Sequence, residues 1–204
     1  MIEELGIAGS FVYTPNQFGD DRGVFLEWFK AELFDEVVGH PLDLKQANLS
    51  VSSAGVLRGI HFADTPPGQA KYVACPRGAI LDVVVDIRVG SPTFGRWEAV
   101  VLDDDERKCL YLSEGLGHAF LSLEDDSTVV YLCSSGYFPG REHGISPLDL
   151  EIGISWPTTG RGGQPLSYQL SAKDKEAPSL RSALGSGTLP NFEEVSRHVQ
   201  SLSK

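Results

Sequence analysis

The sequence predicts an all-β fold of the jelly-roll kind, a sandwich or barrel accompanied by only a few helices. Two observations carry this prediction. Apolar stretches of strand length recur between residues 46 and 138, and Gly, Pro, Asp or Ser bounds each of them. Helical periodicity, in contrast, is confined to stretches outside this region. Many short strands separated by turn signals are typical of double-sheet jelly rolls and β-barrels.

The first helical pattern lies at residues 27–39. Its apolar residues recur at helical spacing, and Gly39 is suited to end the helix in a left-handed conformation. The second lies in the C-terminal tail, where Asn191 is a suitable N-cap and an apolar stripe continues to Leu202. Because helical signals are this few, the helices are predicted to be peripheral.

Residues 46–52 are predicted to form a strand with one polar and one apolar face, because polar and apolar residues alternate strictly. The other predicted strands, in chain order, are residues 55–62, 71–75, 80–89, 98–102, 109–113, 118–123 and 128–138. We expect a jelly-roll core at about residues 45–140. A Gly/Pro-rich loop at 157–165 then opens a tail, 157–204, that packs around this core. The 204 residues are thus predicted to form a single domain.

The composition is that of an ordinary folded protein, with 41% hydrophobic and 22% charged residues and a formal net charge of −11. Nucleic-acid binders usually carry a basic face, and no cluster of Lys or Arg is present, so no nucleic-acid partner is expected. No apolar run approaches the roughly 20 residues of a membrane-spanning helix. The N-terminus also lacks the basic region of a secretory signal. We therefore expect neither a membrane partner nor secretion.

Each of the three cysteines, Cys75, Cys109 and Cys133, lies in an apolar run. Three thiols cannot all pair within one chain, and their spacing matches no zinc-binding pattern. We therefore expect buried, reduced thiols, which indicate a reducing compartment and a cytoplasmic protein.

The polar face of strand 46–52 has two interpretations: it faces bulk solvent, or it lines a polar cavity. Its members are Gln46, Asn48, Ser50 and Ser52. Tyr131 and Tyr137 share one parity within the stretch 128–138, so both phenols are predicted to lie on the same side of that strand.

His61 lies in an apolar strand just before a Pro-rich turn, where a histidine is either a structural residue or a catalytic one. Arg58 has the opposite parity, so the two side chains share a face only if a bulge at Gly55 or Gly59 intervenes. His118 lies between small residues, which either form a turn or admit a ligand close to the backbone.

No metal site is predicted. A metal-binding jelly roll typically carries two histidines separated by one residue, followed by a glutamate and a later histidine. Here Ala63 stands where the second histidine of such a pair would be, and no glutamate lies between His61 and Gly78. The sequence therefore lacks the ligand set that a transition metal needs.

Longer motifs connect these residues to a known family. The segments that carry the likeness are FGDDRGVFLEWF (18–29), QANLSVSSAGVLRGIHF (46–62), QAKYVACPRGAILDVVVDIRVGSPTFGRW (69–97), SEGLGHAF (113–120), YLCSSGYFP (131–139) and LSAKD (170–174). Together they closely resemble the dTDP-4-keto-6-deoxysugar epimerases, the family of dTDP-4-dehydrorhamnose 3,5-epimerase. The resemblance covers about residues 5–180.

This resemblance implies a cupin-type jelly roll that works as a cytoplasmic homodimer without a cofactor or a metal. The implied substrate is a dTDP-4-keto-6-deoxyhexose, inverted at C3, at C5 or at both. By resemblance, His61 is the base that removes a proton next to the C4 ketone, and Asp174 is its carboxylate partner. Lys71 balances the charge of the enolate, and Tyr131 is the acid on the opposite face.

The resemblance also implies a set of substrate-binding residues. Some match the DRGxFxE motif, others match the strand pair that lines the pocket, and the rest match positions near the sugar and the diphosphate. They are Arg22, Glu27, Gln46, Asn48, Arg58, His118 and Tyr137. With these matches, the cavity interpretation of the polar face is favoured over the solvent one.

The second histidine motif departs from the common family form. It reads GLGHAF where GFAHGF is usual, which resembles members from antibiotic-sugar pathways. Several of those members act mainly at C3 or at C5, so an enzyme that inverts a single centre is an open alternative. A 3,4-isomerase and a non-catalytic sugar-nucleotide-binding barrel are two further alternatives, although His61, Asp174 and Tyr131 are all in place.

Overall fold

The computed structural model describes residues 1–203, and this part of the chain is built mainly from β-strands. The strands are β1 (Ile2–Glu4), β2 (Ser10–Tyr13), β3 (Gln17–Asp20), β4 (Gly23–Leu26), β5 (Gln46–Ser52), β6 (Leu57–Ala63), β7 (Lys71–Arg77), β8 (Ala79–Val85), β9 (Trp97–Asp103), β10 (Cys109–Leu112), β11 (Gly117–Ser122), β12 (Ser127–Cys133) and β13 (Glu142–Gly144). The helices are α1 (Ala31–Val38), α2 (Ala172–Lys175), α3 (Leu180–Ser186) and α4 (Phe192–Leu202).

Two antiparallel sheets form the core. The six-stranded sheet has the order β1-β2-β10-β7-β12-β5, and the five-stranded sheet has the order β13-β6-β11-β8-β9. Strands β3 and β4 form a separate hairpin. The all-β jelly roll with a few peripheral helices, predicted from the turn-bounded strands, is confirmed.

Apolar side chains fill the space between the sheets and also cover part of each outer face. Inside, residues such as Val73 and Val129 of one sheet share a buried cluster with Val84 and Phe120 of the other. Outside, Phe34 of α1 packs on the six-stranded sheet, and the C-terminal segment packs on the five-stranded one. Full burial of one such side chain contributes about 1.5–3 kcal/mol, so these layers stabilise the barrel.

The two predicted helices are present with adjusted bounds. Helix α1 begins at Ala31 and not at residue 27, and it ends at Val38, after which Gly39 forms the predicted left-handed cap with a φ of 87°. Helix α4 begins after Asn191, whose side chain accepts hydrogen bonds from the next turn, as predicted. Neither these helices nor the two shorter ones within residues 1–203 have the length and apolarity needed to cross a bilayer.

Predicted strand 128–138 is too long. The strand ends at Cys133, and beyond it the hydroxyls of Ser134 and Ser135 bond the backbone of residues 68–70. Tyr137 therefore lies in a loop after the strand, and the parity argument that placed it on the strand beside Tyr131 is wrong.

Candidate active site

A cavity of about 650 Å³ opens at one end of the barrel, between the inner faces of the two sheets. Most of the residues predicted for the site line it: Gln46, Asn48, Arg58, His61, Lys71, Tyr131, Tyr137 and Asp174.

The six-stranded sheet supplies the polar wall of the cavity. In the ladder between β12 and β5, Tyr131 lies opposite Asn48, and Cys133 lies opposite Gln46. In the ladder between β12 and β7, Cys133 lies opposite Lys71. Directly paired residues point to the same face, so these side chains share the inner face. Of the polar row, Gln46 and Asn48 line the cavity, whereas Ser50 and Ser52 do not.

A bulge in the five-stranded sheet brings Arg58 and His61 to one side. His61 pairs with His118 and Arg58 pairs with Phe120, so an extra residue of β6 is accommodated between the two pairs. Gly59 lies in this irregular stretch with a φ of 120°, and a Cβ there would approach Ala119 Cβ to 2.5 Å. The bulge that Arg58 and His61 need in order to share a face is therefore present, and only glycine can occupy position 59 in this conformation.

His61 and Asp174 form a carboxylate–imidazole pair. Nε2 of His61 lies 2.6 Å from Oδ1 of Asp174, and the side chains are 37% and 5% exposed. Ser171 caps α2 and accepts a hydrogen bond from the backbone N–H of Asp174, which fixes this carboxylate at the start of the helix. A carboxylate only accepts, so Nε2 donates its proton and Nδ1 is left as the basic nitrogen.

The ionised form of Asp174 is favoured. Burial alone would raise the pKa of this carboxyl, but hydrogen bonds from His61 and Ser171 and the charge on His61 outweigh it, so the pKa lies below its usual range. An ionised Asp174 orients the imidazole and stabilises the imidazolium that forms when His61 accepts a proton.

Tyr131 and Lys71 face His61 from the other sheet. Burial, with a smaller effect of Cys133, raises the pKa of Tyr131, so its phenol is protonated at neutral pH and can act as a proton donor. Lys71 is only 7% exposed, and burial lowers the pKa of its ammonium. Its Nζ forms no ion pair or hydrogen bond with residues 1–203 and is therefore available to a ligand.

A hydrogen-bonded chain organises the rest of the wall. The amide of Gln46 donates to Asn48 at 2.7 Å, and Asn48 donates to the Cys133 thiol at 3.6 Å. Gln46 also accepts the backbone N–H of Tyr137 at 2.8 Å. Gln46 thus holds the loop that presents Tyr137, which is 60% exposed, at the cavity mouth.

The structure does not bring three of the predicted residues into the cavity of the single chain. Arg22 lies on the β3–β4 hairpin, pairs with Asp20 and has a side chain that is 90% exposed. Glu27 pairs with Lys30 at 3.1 Å. His118 is buried, with Nε2 at 2.5 Å from Oδ1 of Asp82. Their assignment to substrate binding stays a prediction.

Several residues that line the cavity were not predicted from the sequence, notably Lys173 and Glu142. The sequence could have indicated Lys173, because it stands next to Asp174 in the LSAKD motif. No sequence pattern indicated Glu142, since β13 is a three-residue strand that follows a short 3-10 turn. Within residues 1–203, no group of three or more His, Cys, Asp or Glu side chains is arranged to hold a metal ion.

The sequence of the chain matches a known protein family over most of its length. The family model described as dTDP-4-dehydrorhamnose 3,5-epimerase matches residues 4–182. The chain is 54% identical to the dTDP-4-dehydrorhamnose 3,5-epimerase of Mycolicibacterium smegmatis, over 98% of this chain and 96% of that one. It is also 54% identical to the dTDP-4-dehydrorhamnose 3-epimerase of Streptomyces niveus, over 94% and 89%.

Solved structures agree with these sequence matches. The rmlC epimerase of Mycobacterium tuberculosis superposes with a TM-score of 0.94 at 49% identity, covering 99% of each chain. ChmJ, a 3′-monoepimerase from Streptomyces bikiniensis in complex with dTDP-quinovose, gives a TM-score of 0.92 at 48% identity, covering 98% of each chain. With a nearly full-length family match and full-length relatives, the chain belongs to the dTDP-4-dehydrorhamnose 3,5-epimerase family.

Proposed function

We propose that the chain, acting as a single epimerase domain, inverts a dTDP-4-keto-6-deoxyhexose at C3, at C5 or at both, without a cofactor. The observation that carries the proposal is the placement of two proton-transfer groups on opposite walls of one cavity. The His61–Asp174 pair lies on the five-stranded side, and Tyr131 lies on the six-stranded side. Inversion at a carbon needs a base on one face and an acid on the other.

The proposed chemistry uses only groups of this chain. Nδ1 of His61 removes the proton from a carbon next to the C4 ketone, and the electrons of the C–H bond move to the ketone oxygen. The ammonium of Lys71 stabilises the enolate. The phenol of Tyr131 then protonates the opposite face of the carbon. Solvent returns a proton to Tyr131 and removes one from His61, which closes the cycle.

The cavity also contains positively charged side chains that can bind the diphosphate of the substrate. The chain carries a net charge of −11, so an anionic ligand must be held by local cations. Arg58 and Lys173 both line the cavity, and Lys173 lies on the exposed turn next to Asp174. ChmJ, which binds dTDP-quinovose in its solved structure, supports a dTDP-sugar as the ligand here.

Inversion at C3 alone is the second candidate. The 3,5-epimerase and the 3-epimerase relatives are equally similar to this chain, at 54% identity each. Both outcomes use the same base and acid, so the pose of the sugar decides between them.

Nuclear magnetic resonance in D₂O tests the proposed function. We expect the purified protein to incorporate deuterium into dTDP-4-keto-6-deoxyglucose at C3, C5 or both, with inversion at each epimerised carbon. A product labelled and inverted only at C3 would establish the second candidate. Treatment with a chelator is expected to leave the rate unchanged. Absence of exchange at both carbons, by a protein that still binds the sugar nucleotide, would favour a binding barrel instead.

We propose that a homodimer completes the site, because Arg22 lies outside the cavity of its own chain. Apolar side chains are exposed on the hairpin that carries Arg22, where Phe25 is 66% exposed, and on edge strand β5, where Leu49 is 65% exposed. Apolar patches of this kind usually mark a protein interface. We therefore propose that the hairpin of one subunit reaches the cavity of the other, in a cytoplasmic enzyme whose three cysteines are free and buried.

Complementation between inactive variants tests this arrangement. We expect Arg22→Ala and His61→Asn each to lose most of the activity as homodimers. When the two variants are unfolded together and refolded, each mixed dimer contains one site with both residues intact, so activity should return to about a quarter of the wild-type value. Arg22→Ala refolded with itself is the control. Failure to recover activity in dimers shown to be mixed would contradict the shared site.

A further inference from the structure

Gln69 is a buried polar residue of the cavity wall that takes no part in the proposed proton transfers. Only 9% of its surface is exposed, and it lines the cavity two residues before Lys71. Its Nε2 donates a hydrogen bond to the backbone carbonyl of Ser135 at 3.0 Å. Because a carbonyl only accepts, the nitrogen of the amide must face Ser135, and the amide oxygen Oε1 is turned away from it.

The amide oxygen of Gln69 is the half of the side chain without a partner. Within residues 1–203, Oε1 accepts no hydrogen bond, yet it keeps accessible surface. The residue is otherwise buried and lines the cavity, so the cavity is the space that Oε1 faces. An amide oxygen only accepts, so it is matched to the hydroxyl or N–H group of a ligand.

Three further hydrogen bonds hold the backbone around Gln69. The N–H of Ala70 donates to Oγ of Ser134 at 2.8 Å, and the N–H of Ser134 donates to the carbonyl of Ala70 at 3.1 Å. Oγ of Ser135 donates to the carbonyl of Gly68 at 2.8 Å. The amide is therefore oriented before a ligand arrives, which lowers the entropic cost of binding.

Gln69 and Arg58 lie toward opposite ends of the six-stranded wall. Nε of Arg58 lies 3.4 Å from Oγ of Ser52, the last residue of β5. Lys71 pairs with Cys133, the last residue of β12. Strands β5 and β12 are antiparallel, so their last residues are at opposite ends of the ladder. Gln69 lies on the Lys71 side, where its amide contacts the loop that follows β12.

We propose that Oε1 of Gln69 accepts a hydrogen bond from the hydroxyl at C3 of the sugar. The inference rests on the proposed function, in which Arg58 binds the diphosphate on C1 and Lys71 faces the oxygen on C4. The sugar then runs from Arg58 toward Lys71, and Gln69 lies at the ketone end. In a 4-keto-6-deoxyhexose, C3 carries the hydroxyl next to the ketone, whereas C5 carries a methyl group and no hydroxyl. Gln69 thus selects sugars that keep the C3 hydroxyl.

Three sugar nucleotides test this contact: dTDP-4-keto-6-deoxyglucose, its 2-deoxy analogue and its 3-deoxy analogue. Gln69→Met keeps the length of the side chain and removes the amide. We expect kcat/KM for deuterium incorporation at C3 to fall about tenfold for the two sugars that carry the C3 hydroxyl, as for the loss of one hydrogen bond. The loss should be less than about twofold for the 3-deoxy sugar, because the contact is already missing there.

Gln69→Glu and Ser135→Ala are the matched controls. Glutamate keeps an acceptor oxygen but loses the donor to the Ser135 carbonyl, whereas Ser135→Ala removes only the hydroxyl that bonds Gly68. In both variants, the ratio of kcat/KM between dTDP-4-keto-6-deoxyglucose and its 3-deoxy analogue should stay close to that of the wild type. A purely structural role of Gln69 would instead make Gln69→Met lose the same factor on all three sugars.

Three results would overturn the proposal: an equal loss on all three sugars in Gln69→Met, a loss absent from the 2-deoxy sugar, or loss of the preference in Gln69→Glu. If circular dichroism shows that Gln69→Met does not fold, Gln69→Ala, which only enlarges the cavity, takes its place with the same expectation. A wild-type protein that exchanges no deuterium would instead refute the proposed function, so the two failures are distinguishable.

Discussion

Replacing His61 with asparagine is expected to reduce deuterium incorporation at C3 and C5 by a factor of about 10²–10⁴, the usual contribution of a positioned base. Asparagine keeps a polar side chain next to Asp174, which is held independently by Ser171. It has no basic nitrogen, however, so the C–H bond cannot be broken at the normal rate. The measurement is the rate of deuterium incorporation, followed by proton nuclear magnetic resonance.

His143→Asn is the matched control for this variant. His143 lies on β13, beside the strand of His61, and its Nε2 bonds the exposed Asp64 at the same 2.6 Å. It does not line the cavity, so activity should be unchanged. Thermal unfolding followed by circular dichroism should show that both variants fold. Wild-type exchange in folded His61→Asn would remove this residue from the role of base.

Replacing Tyr131 with phenylalanine is expected to separate exchange from inversion. His61 can still remove a proton and return deuterium to the same face, so labelled substrate of unchanged configuration should accumulate. Protonation of the opposite face loses its donor, and the rate of inversion should fall by about 10²–10⁴. The ratio of labelled, uninverted substrate to inverted product measures this effect directly.

Tyr111→Phe controls for the loss of a buried phenol. The hydroxyl of Tyr111 is buried without a hydrogen-bond partner in the described chain, and it lies in the cluster on the outer face of the six-stranded sheet. Its removal should change neither exchange nor inversion. If Tyr131→Phe inverts the sugar as fast as the wild type does, another group must supply the second proton.

Much of the barrel was predictable because its strands carry their own pattern. Residues 46–52 alternate strictly, and the structure forms β5 over the same residues. Strands β1 and β13 are three residues long and their sequences do not alternate, so they are defined only by the strands they pair with. A local sequence pattern does not show which distant parts of the chain come into contact, and such strands depend on those contacts.

The candidate site was predictable in its chemistry but not in its geometry. Resemblance to the family indicated His61 and Asp174, which are 113 positions apart and lie together in the structure. The pairing of His118 with Asp82 had no sequence signal, because it depends on which strands become neighbours in the sheet. The prediction that Tyr137 lies on this strand was wrong, since the strand ends at Cys133 and the next two serines contact residues 68–70 through their hydroxyls.

The irregular stretch of β6 around Gly59 also bears on how this enzyme can acquire new sugars. In a regular ladder, Arg58 would point out of the barrel while His61 pointed in. The bulge in β6 therefore keeps both the cationic Arg58 and the base His61 in the cavity. At the mouth, Tyr137 and Gln169 lie outside the strands of the two sheets, so exchanging their side chains leaves the ladders of the barrel unchanged. Libraries aimed at other nucleotide sugars should therefore randomise the mouth and keep codon 59 fixed.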